Sequence, residues 1–276
     1  MRAIIHTSIL AVCLLLLSCA TTGPGGRQSL VLIPTSQELT IGQGMADEVA
    51  KTEKRLPDEQ WQAYVNEVGQ KIVKVCDRQD IEYHFTVIES DQINAFAAPG
   101  GYVYFYTGLL RIMNNEAEMS AVMAHEISHV VARHGVKRLQ ATLGVALATK
   151  LVLGDNSNEV ITAAINVGMG LLSAGYSRDN EREADKFGIY YMEKAGYDPN
   201  AAVSMFDHLA SAGGSGSANV FEKLAASHPE TTERINNAKA EIAGMGALPS
   251  GLVLRESRYQ EMRKRLPPPA KPGGNG

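Results

Sequence analysis

The sequence has few cysteines, no excess of positive charge and no long apolar run, and each shortage excludes a class of protein. Of the three cysteines, Cys13 and Cys19 lie near the amino terminus, so Cys76 stands alone and an internal disulfide is excluded. The formal charge of −4 argues against a broad nucleic-acid-binding surface. No apolar run reaches the roughly 18–20 residues of a membrane-spanning helix, which excludes a polytopic membrane protein. What remains, with 45% hydrophobic and 20% charged residues, is the composition of a globular protein.

The first residues of the chain have the pattern of an export signal. Arg2 precedes an apolar stretch over residues 9–17 that is too short to cross a bilayer. The sequence Leu16-Leu17-Ser18-Cys19 resembles a bacterial lipobox, in which cleavage before the cysteine is followed by its lipid modification. Ala20, rather than an aspartate, favours the outer membrane by resemblance to sorted lipoproteins. An ordinary signal peptide with an incidental cysteine is the alternative.

Composition divides the chain into four predicted segments. Residues 1–18 are the signal peptide and residues 19–35 a lipidated tether. One domain follows over residues 36–246. Residues 247–276 are predicted to be a mostly disordered tail, because they end in a run of proline and glycine.

The periodicity of apolar residues predicts an α+β domain that is mainly helical, with a small antiparallel sheet. Residues 82–90 alternate between polar and apolar and predict a strand. Two more strands, over 94–98 and 102–106, are predicted around the turn Pro99-Gly100-Gly101. A helix is predicted next, over 115–138.

Two further apolar segments, 140–153 and 159–174, are rich in small residues and separated by Gly154-Asp155-Asn156. They predict a helical hairpin that is buried or lid-like, with partial membrane contact as the alternative. A polar helix is predicted after them, over residues 179–195, and it ends at Gly196.

The sequence His125-Glu126-Ile127-Ser128-His129 is an H-E-x-x-H motif within the helix predicted over 115–138. Histidines four residues apart lie on one helix face, where their ring nitrogens can share one Zn²⁺. Glu126 can then act as general base towards a water at the metal. An amphipathic helix with incidental histidines is the alternative.

A catalytic zinc site needs a third protein ligand. His134 follows His129 by five residues, which places it about 140° around the helix, so we expect a structural or surface histidine. Glu181 and Asp185 are better candidates, since both lie on one face of the predicted polar helix. One of them can bind zinc while the other accepts a hydrogen bond from the far nitrogen of a ligand histidine. A solvated, acidic helix start is the alternative.

Together these motifs resemble the HtpX/BepA/LoiP-type zinc metallopeptidases, which are gluzincins of bacterial envelopes. The resemblance covers roughly residues 36–245 and rests on five short motifs: Asn94-Ala95, Pro99-Gly100-Gly101, Thr107-Gly108-Leu109-Leu110, His125–His129, and Glu181–Asp185 followed by Gly188. It implies that residues 36–246 are a metallopeptidase domain that holds one Zn²⁺ per chain. The ligands it implies are His125, His129 and Glu181.

The resemblance also implies roles for two other residues. Asp185 orients a ligand histidine or donates a proton, and the orienting role is favoured because a buried, ionised aspartate is a poor acid. His228, which precedes a proline late in the domain, can approach the zinc as a fourth ligand and latch the site shut. Alternatively, His228 or Arg234 stabilises the oxyanion of the transition state, or His228 marks only a helix boundary.

The extended segment over residues 94–106, before the helix with the H-E-x-x-H motif, can be interpreted separately. Asn94, Ala95, Pro99, Gly100 and Gly101 belong to a stretch that can pair with the backbone of a substrate as an added strand. Because a polypeptide must be extended to pair in this way, unfolded substrates are favoured. A core hairpin is the alternative.

The motifs, together with the family that they resemble, imply a zinc-dependent endopeptidase of the bacterial cell envelope that hydrolyses unfolded or misassembled membrane and periplasmic proteins. It is expected to face the periplasm from the outer membrane, held by a lipid on Cys19, with polypeptides and no nucleic acid as partners. Two alternatives stay open. One is a non-catalytic zinc lipoprotein with a chaperone or assembly role, and the other is a metal hydrolase whose substrate is not a protein.

Overall fold

Eleven α-helices and five strands make up the part of the chain that the computed structural model describes, which is residues 20–214 and 231–269. The predicted α+β class, mainly helical, is confirmed. The helices are α1 (Thr35–Thr52), α2 (Glu59–Val73), α3 (Thr107–Ile112), α4 (Glu116–Val131), α5 (His134–Thr142), α6 (Gly144–Val152), α7 (Asn158–Leu172), α8 (Arg178–Lys194), α9 (Asn200–Gly214), α10 (Thr231–Gly244) and α11 (Glu256–Arg263). The strands are β1 (Ala20–Thr22), β2 (Gln28–Leu30), β3 (His84–Ile88), β4 (Ala95–Ala98) and β5 (Tyr102–Tyr106).

The three predicted strands form a sheet with the order β3-β5-β4. β4 and β5 are an antiparallel hairpin around Pro99-Gly100-Gly101, whose two glycines have φ of 80° and 93°, a region that favours glycine. β3 lies on the other side of β5 and runs parallel to it. The predicted antiparallel pairing is present for β4 and β5 and is wrong for β3, so the sheet is mixed. The chain reverses direction once between β3 and β4 and again between β4 and β5, so β3 and β5 run in the same direction. They lie side by side because β4 occupies the edge of the sheet.

The sheet separates two apolar clusters, because alternate side chains of a strand point to opposite faces. Val103 and Phe105 face a large cluster that includes residues of α2, α4, α8 and α9. Tyr104 and Tyr106 face a second cluster, which residues of α1, α5 and α7 complete. The helix that carries the two motif histidines, α4, belongs to the larger cluster.

The segment before α1 packs against the domain. β1 and β2 pair as a small antiparallel hairpin, and Val31 and Ile33 are buried in the second apolar cluster. The prediction of a tether over residues 19–35 is wrong for the part that the structure describes, because the apolar run after β2 gains more from burial than from solvent exposure. Cys19 lies outside the described residues.

The segment after α10 is also folded. The prediction of a mostly disordered tail over residues 247–276 is therefore wrong for residues 247–269, which are the part of it that the structure describes. Tyr259 of α11 is fully buried, and its hydroxyl donates a hydrogen bond to the carbonyl oxygen of Leu110 at 2.7 Å. Its ring meets Trp61 edge to face at 6.0 Å. One large aromatic residue with a polar partner anchors a segment that is otherwise rich in charge and proline.

The predicted helical hairpin is present as α6 and α7. α7 packs against α1 and α5, with Val160, Ala164 and Gly168 on its buried side. Val145 and Leu153 of the hairpin are 85% and 80% exposed. No helix within residues 20–214 or 231–269 has both the length and the apolar character that a membrane crossing requires.

Candidate metal centre

The two motif histidines converge on the same point in space. Asn115 caps the start of α4 by accepting a hydrogen bond from the amide of Glu118 at 2.9 Å. Two turns later His125 and His129 are both buried, and their Nε2 atoms lie 3.1 Å apart. Burial lowers the pKa of His129 well below its ordinary value. Its ring is therefore neutral and has a nitrogen lone pair to offer.

Helix α8 brings a carboxylate to this pair. Ser177 caps α8 by accepting a hydrogen bond from the amide of Asn180, and α8 then packs along α4. Glu181 is buried, with Oε2 at 3.6 Å from Nε2 of His125 and Oε1 at 3.4 Å from Nε2 of His129. Among the described residues, His125, His129 and Glu181 are the group whose ligand atoms lie close enough to hold a metal ion.

The geometry of this group fits zinc. A tetrahedral ion with bonds of about 2.0–2.1 Å holds its ligand atoms about 3.3 Å apart. The two Nε2 atoms lie 3.1 Å apart, and Glu181 contacts them at 3.6 and 3.4 Å through a different oxygen each. These contact distances are close to that value. Two imidazoles and one carboxylate are also a donor set that suits zinc.

Asp185 contacts the far side of His125. Its Oδ1 lies 2.8 Å from Nδ1 of His125, so Nδ1 carries the proton and Nε2 stays available to a metal. Both carboxylate oxygens also accept hydrogen bonds from Arg234, at 2.8 and 2.7 Å. Burial opposes the ionisation of Asp185, but Arg234 and His125 outweigh it and lower the pKa of this carboxyl to about 2. An ionised Asp185 is suited to orienting His125 and not to donating a proton.

Glu126 lies between two cavities, both of which it lines. The first is an apolar pocket on the side of α8 and α9, where His125, Asp185 and Arg234 also contribute. Its apolar wall includes Val122, Ile189, Met192, Met205, Phe206 and Leu209. This arrangement places a buried carboxylate beside a pocket that can accept an apolar side chain.

The second cavity follows the outer edge of the sheet. Phe96, Ala97 and Pro99 line it together with Glu126. Because Asn94 and Tyr106 form a hydrogen-bonded pair, alternation along the ladder turns the backbone N–H and C=O of Ala95 and Ala97 away from β5. Within the described ranges, β4 has no second strand partner.

The turn of this hairpin is held in place by α1. The amide of Gly100 donates to Oε1 of Glu38 at 3.2 Å, and the carbonyl of Gly101 accepts from His84 at 2.9 Å. Glu38 is buried and also pairs with Arg78 at 2.9 Å. Of the predicted substrate residues, Pro99 lines a cavity together with Glu126, and the others lie on the same hairpin or directly before it.

His134 is buried, which agrees with a structural histidine and not with a surface one. It does not lie on the same helix as His129, which corrects the placement expected from helical spacing. Arg133 adopts a left-handed conformation with φ of 54°, so α4 ends at Val131 and α5 begins at His134. The predicted helix over 115–138 is therefore broken. Nδ1 of His134 lies 2.8 Å from Nδ1 of His129, and its Nε2 lies 3.0 Å from Oε2 of Glu183.

Tyr176 is a second neighbour of the site that the sequence did not indicate. Its ring stacks on His129, with centroids 4.1 Å apart and planes 18° apart, and it lines the cavity beside β4. Arg138 lies over the same ring and donates to the carbonyl of Ala174 at 2.6 Å. A lone tyrosine in a loop carries no periodic signal, so only the fold reveals its place.

One predicted site residue cannot be placed. His228 lies outside the described residues, and its role as a latch stays a prediction.

A comparison with family models matches residues 59–242 to the model described as peptidase family M48, which is about two thirds of the chain.

Three relatives are similar over much the same region. The chain is 31% identical over 196 residues to the beta-barrel assembly-enhancing protease of Yersinia pestis, covering 67% of this chain and 40% of that protein. It is 33% identical over 197 residues to the mitochondrial metalloendopeptidase OMA1 of Schizosaccharomyces pombe, covering 70% and 55%. It is 29% identical over 163 residues to the metalloprotease YcaL of Escherichia coli K12, covering 58% and 62%. The match thus spans less than two thirds of each of these relatives.

Proposed function

The chain belongs to peptidase family M48, and from that premise we propose that it is a zinc-dependent endopeptidase that cleaves unfolded or misassembled polypeptides in the bacterial cell envelope. The observation that carries the proposal is the convergence of two imidazole nitrogens and one carboxylate within 3.1–3.6 Å of one another. Glu126 lies next to His125 in the chain and borders the cavities on both sides of this point.

In this proposal His125, His129 and Glu181 hold the zinc. Zinc, when bound, supplies a Lewis acid that polarises the scissile carbonyl and makes water more acidic. Glu126 takes a proton from the attacking water and later passes it to the leaving amine. Asp185 orients His125 through the 2.8 Å contact with Nδ1.

Arg234 and His228 have proposed roles in the same site. Arg234 is buried against Asp185 and lines the apolar pocket, which supports a role in stabilising negative charge near Glu126. His228 is proposed as a reversible fourth ligand. A structure with zinc bound tests that role, and a His228 ring remote from the ion would refute it.

The substrate is proposed to bind as an extended chain along β4. The outward-facing backbone groups of Ala95 and Ala97 can pair with such a chain, and the apolar pocket can accept one of its side chains next to the cleaved bond. Extended segments with exposed apolar side chains are features of unfolded proteins. One relative is named a beta-barrel assembly-enhancing protease, which supports outer-membrane proteins as the substrate class.

The protein is proposed to be an outer-membrane lipoprotein that faces the periplasm. The support is the lipobox-like sequence that ends at Cys19, the apolar stretch before it, and Ala20 after it. Several acyl chains on one residue would anchor the protein stably, since each buried methylene contributes about 0.8 kcal/mol.

The substitution Glu126→Gln tests the proposed activity. We expect cleavage of casein or of an unfolded outer-membrane protein to fall by roughly 10²–10⁴-fold, because the amide cannot take the proton. Zinc content is expected to stay at one ion per chain, since Glu126 is outside the ligand group. A chelator should abolish cleavage by the wild type, and added zinc should restore it.

The same experiment separates the alternatives. Glu159→Gln makes the same chemical change on the exposed side of α7 and should leave cleavage unchanged. Normal cleavage by Glu126→Gln would refute the assignment of the base. A wild-type protein that binds zinc and prevents aggregation without cleaving would be a chaperone, and one that hydrolyses only non-protein substrates would support the other alternative.

A further inference from the structure

A line of four hydrogen-bonded side chains runs outward from His129. Nδ1 of His129 lies 2.8 Å from Nδ1 of His134. Nε2 of His134 lies 3.0 Å from Oε2 of Glu183, whose other oxygen lies 3.0 Å from Nη1 of Arg27. The two imidazoles are buried, Glu183 is partly exposed and Arg27 is at the surface. The line therefore leads from the candidate metal centre to solvent.

The protons in this line can be arranged in one consistent way once His129 binds a metal. A neutral imidazole that coordinates through Nε2 must carry its proton on Nδ1. That proton is donated to Nδ1 of His134, which must then be the acceptor. The remaining proton of His134 is on Nε2, where it is donated to the carboxylate of Glu183. Every donor has an acceptor, and neither ring needs to be charged.

His125 and His129 are thus supported in different ways. His125 donates directly to the carboxylate of Asp185. Nδ1 of His129 instead faces an imidazole, and His134 stands between it and the carboxylate of Glu183. An imidazole that is itself fixed by a carboxylate can also accept the proton of a ligand histidine and orient its ring, since the carboxylate makes Nδ1 of His134 a better acceptor.

We propose that His134 and Glu183 are positioning residues that fix the tautomer and ring orientation of His129 and so strengthen zinc binding. The inference rests on the proposed function only in taking His129 as a zinc ligand. It assigns a task to the left-handed turn at Arg133, which starts a new helix and brings His134 back onto His129. It also explains why Glu183, between Glu181 and Asp185 in the chain, lies on another side of α8 and is not in the ligand group.

Two substitutions of His134 separate positioning from simple packing. The side-chain oxygen of Asn can take the place of Nδ1 and accept from His129, but it cannot reach Glu183. The amide of Gln can take the place of Nε2 and reach Glu183, but it leaves Nδ1 of His129 without its acceptor. Zinc affinity is measured by competition with a chromophoric chelator, and the unfolding temperature of the metal-free protein is measured alongside.

We expect His134→Gln and His134→Ala to weaken zinc binding by about 10–100-fold, the range typical for loss of a group that supports a metal ligand. His134→Asn should stay within about threefold of the wild type. If His134 only fills space, the zinc affinities of the variants should instead rank in the same order as the unfolding temperatures of the metal-free proteins. Equal affinity for the Asn and Gln variants would overturn the proposal.

A variant of Glu183, the next side chain in the hydrogen-bonded line, keeps the inference testable if a His134 variant does not fold. Glu183→Leu removes the acceptor from Nε2 of His134 and should weaken zinc binding by about tenfold, while Arg27→Gln, at the exposed end of the line, should not. Unchanged affinity in Glu183→Leu would count against the inference. A wild-type protein that binds no zinc would instead contradict the proposed function, so the two failures are distinguishable.

Discussion

At the residue scale, Asp185 contacts two partners at once, His125 and Arg234. A buried pair of carboxylate and guanidinium adds little net stability, since desolvation offsets the attraction, but removing one partner costs roughly 3–5 kcal/mol. The pair therefore matters through geometry. Arg234 holds the carboxylate so that it can face Nδ1 of His125, and its guanidinium in turn lies 4.4 Å from the ring centre of Phe206 in the apolar pocket.

The substitution Val122→Phe tests the apolar pocket. Val122 lines it one helical turn before Glu126, so a phenyl ring there would fill space that a substrate side chain would use. We expect kcat/KM for peptides with Leu or Phe beside the cleaved bond to fall by about tenfold or more relative to peptides with Ala. Val145→Phe, on an exposed site, is the matched control. An unchanged ratio of the two peptide classes in Val122→Phe would show that substrates do not use this pocket.

At the element scale, the metal centre depends on how closely α8 packs against α4. Gly188 is at the point of contact, where a Cβ atom would lie 3.1 Å from the backbone nitrogen of His125 and 3.2 Å from its Cα. Backbone atoms of a buried helix cannot move aside cheaply. The same contact fixes the position of α8 along α4, and with it the positions of Glu181 and Asp185 relative to the two histidines.

We therefore expect Gly188→Ala to lower the free energy of unfolding by about 1–3 kcal/mol through overpacking, and to weaken zinc binding. Gly170→Ala, on α7, is the control, because apart from the neighbouring backbone of that helix no atom lies within 4 Å of the added methyl group. That control should keep or raise stability by up to about 1 kcal/mol. Chemical denaturation and chelator competition measure the two quantities, and equal behaviour of the two variants would refute the close-packing argument.

At the scale of the whole molecule, the described fold extends beyond the residues that match the family, 59–242. The hairpin of β1 and β2 precedes them and reaches α8 through Arg27 and Glu183. Helix α11 follows them and closes the larger apolar cluster with Tyr259. The segment that follows the proposed lipid anchor therefore contacts the domain at α8, one of the two helices that carry the candidate metal ligands.

Cys19→Ser tests the anchor. We expect the variant to move from the membrane fraction to the soluble fraction of the cell envelope, because serine cannot carry the thioether-linked lipid and the acyl chains supply the membrane affinity. Cys76→Ser, at a buried position in the domain, should stay with the membrane. Fractionation followed by detection of the protein measures both. A Cys19→Ser variant that remains in the membrane fraction would contradict the lipoprotein proposal.

The local parts of the site followed from the sequence, because they depend on distances within one element. The 3.6-residue repeat of a helix places His125 and His129 on one face, whatever the rest of the fold does, and it relates Glu181 to Asp185 in the same way. The strands around Pro99 and the helical hairpin after α5 were likewise visible as patterns of neighbouring residues. The α+β class followed from the same patterns.

Only the tertiary structure decided which elements meet. The parallel pairing of β3 with β5, the return of His134 onto His129 after the turn at Arg133, the salt bridge of Arg234 with Asp185, and the burial of Tyr259 all join parts of the chain that no local repeat connects. Periodicity sets the direction of a side chain relative to its own helix or strand. Which surface it meets depends on where the chain reverses and on how the elements share one core, and both are properties of the whole fold.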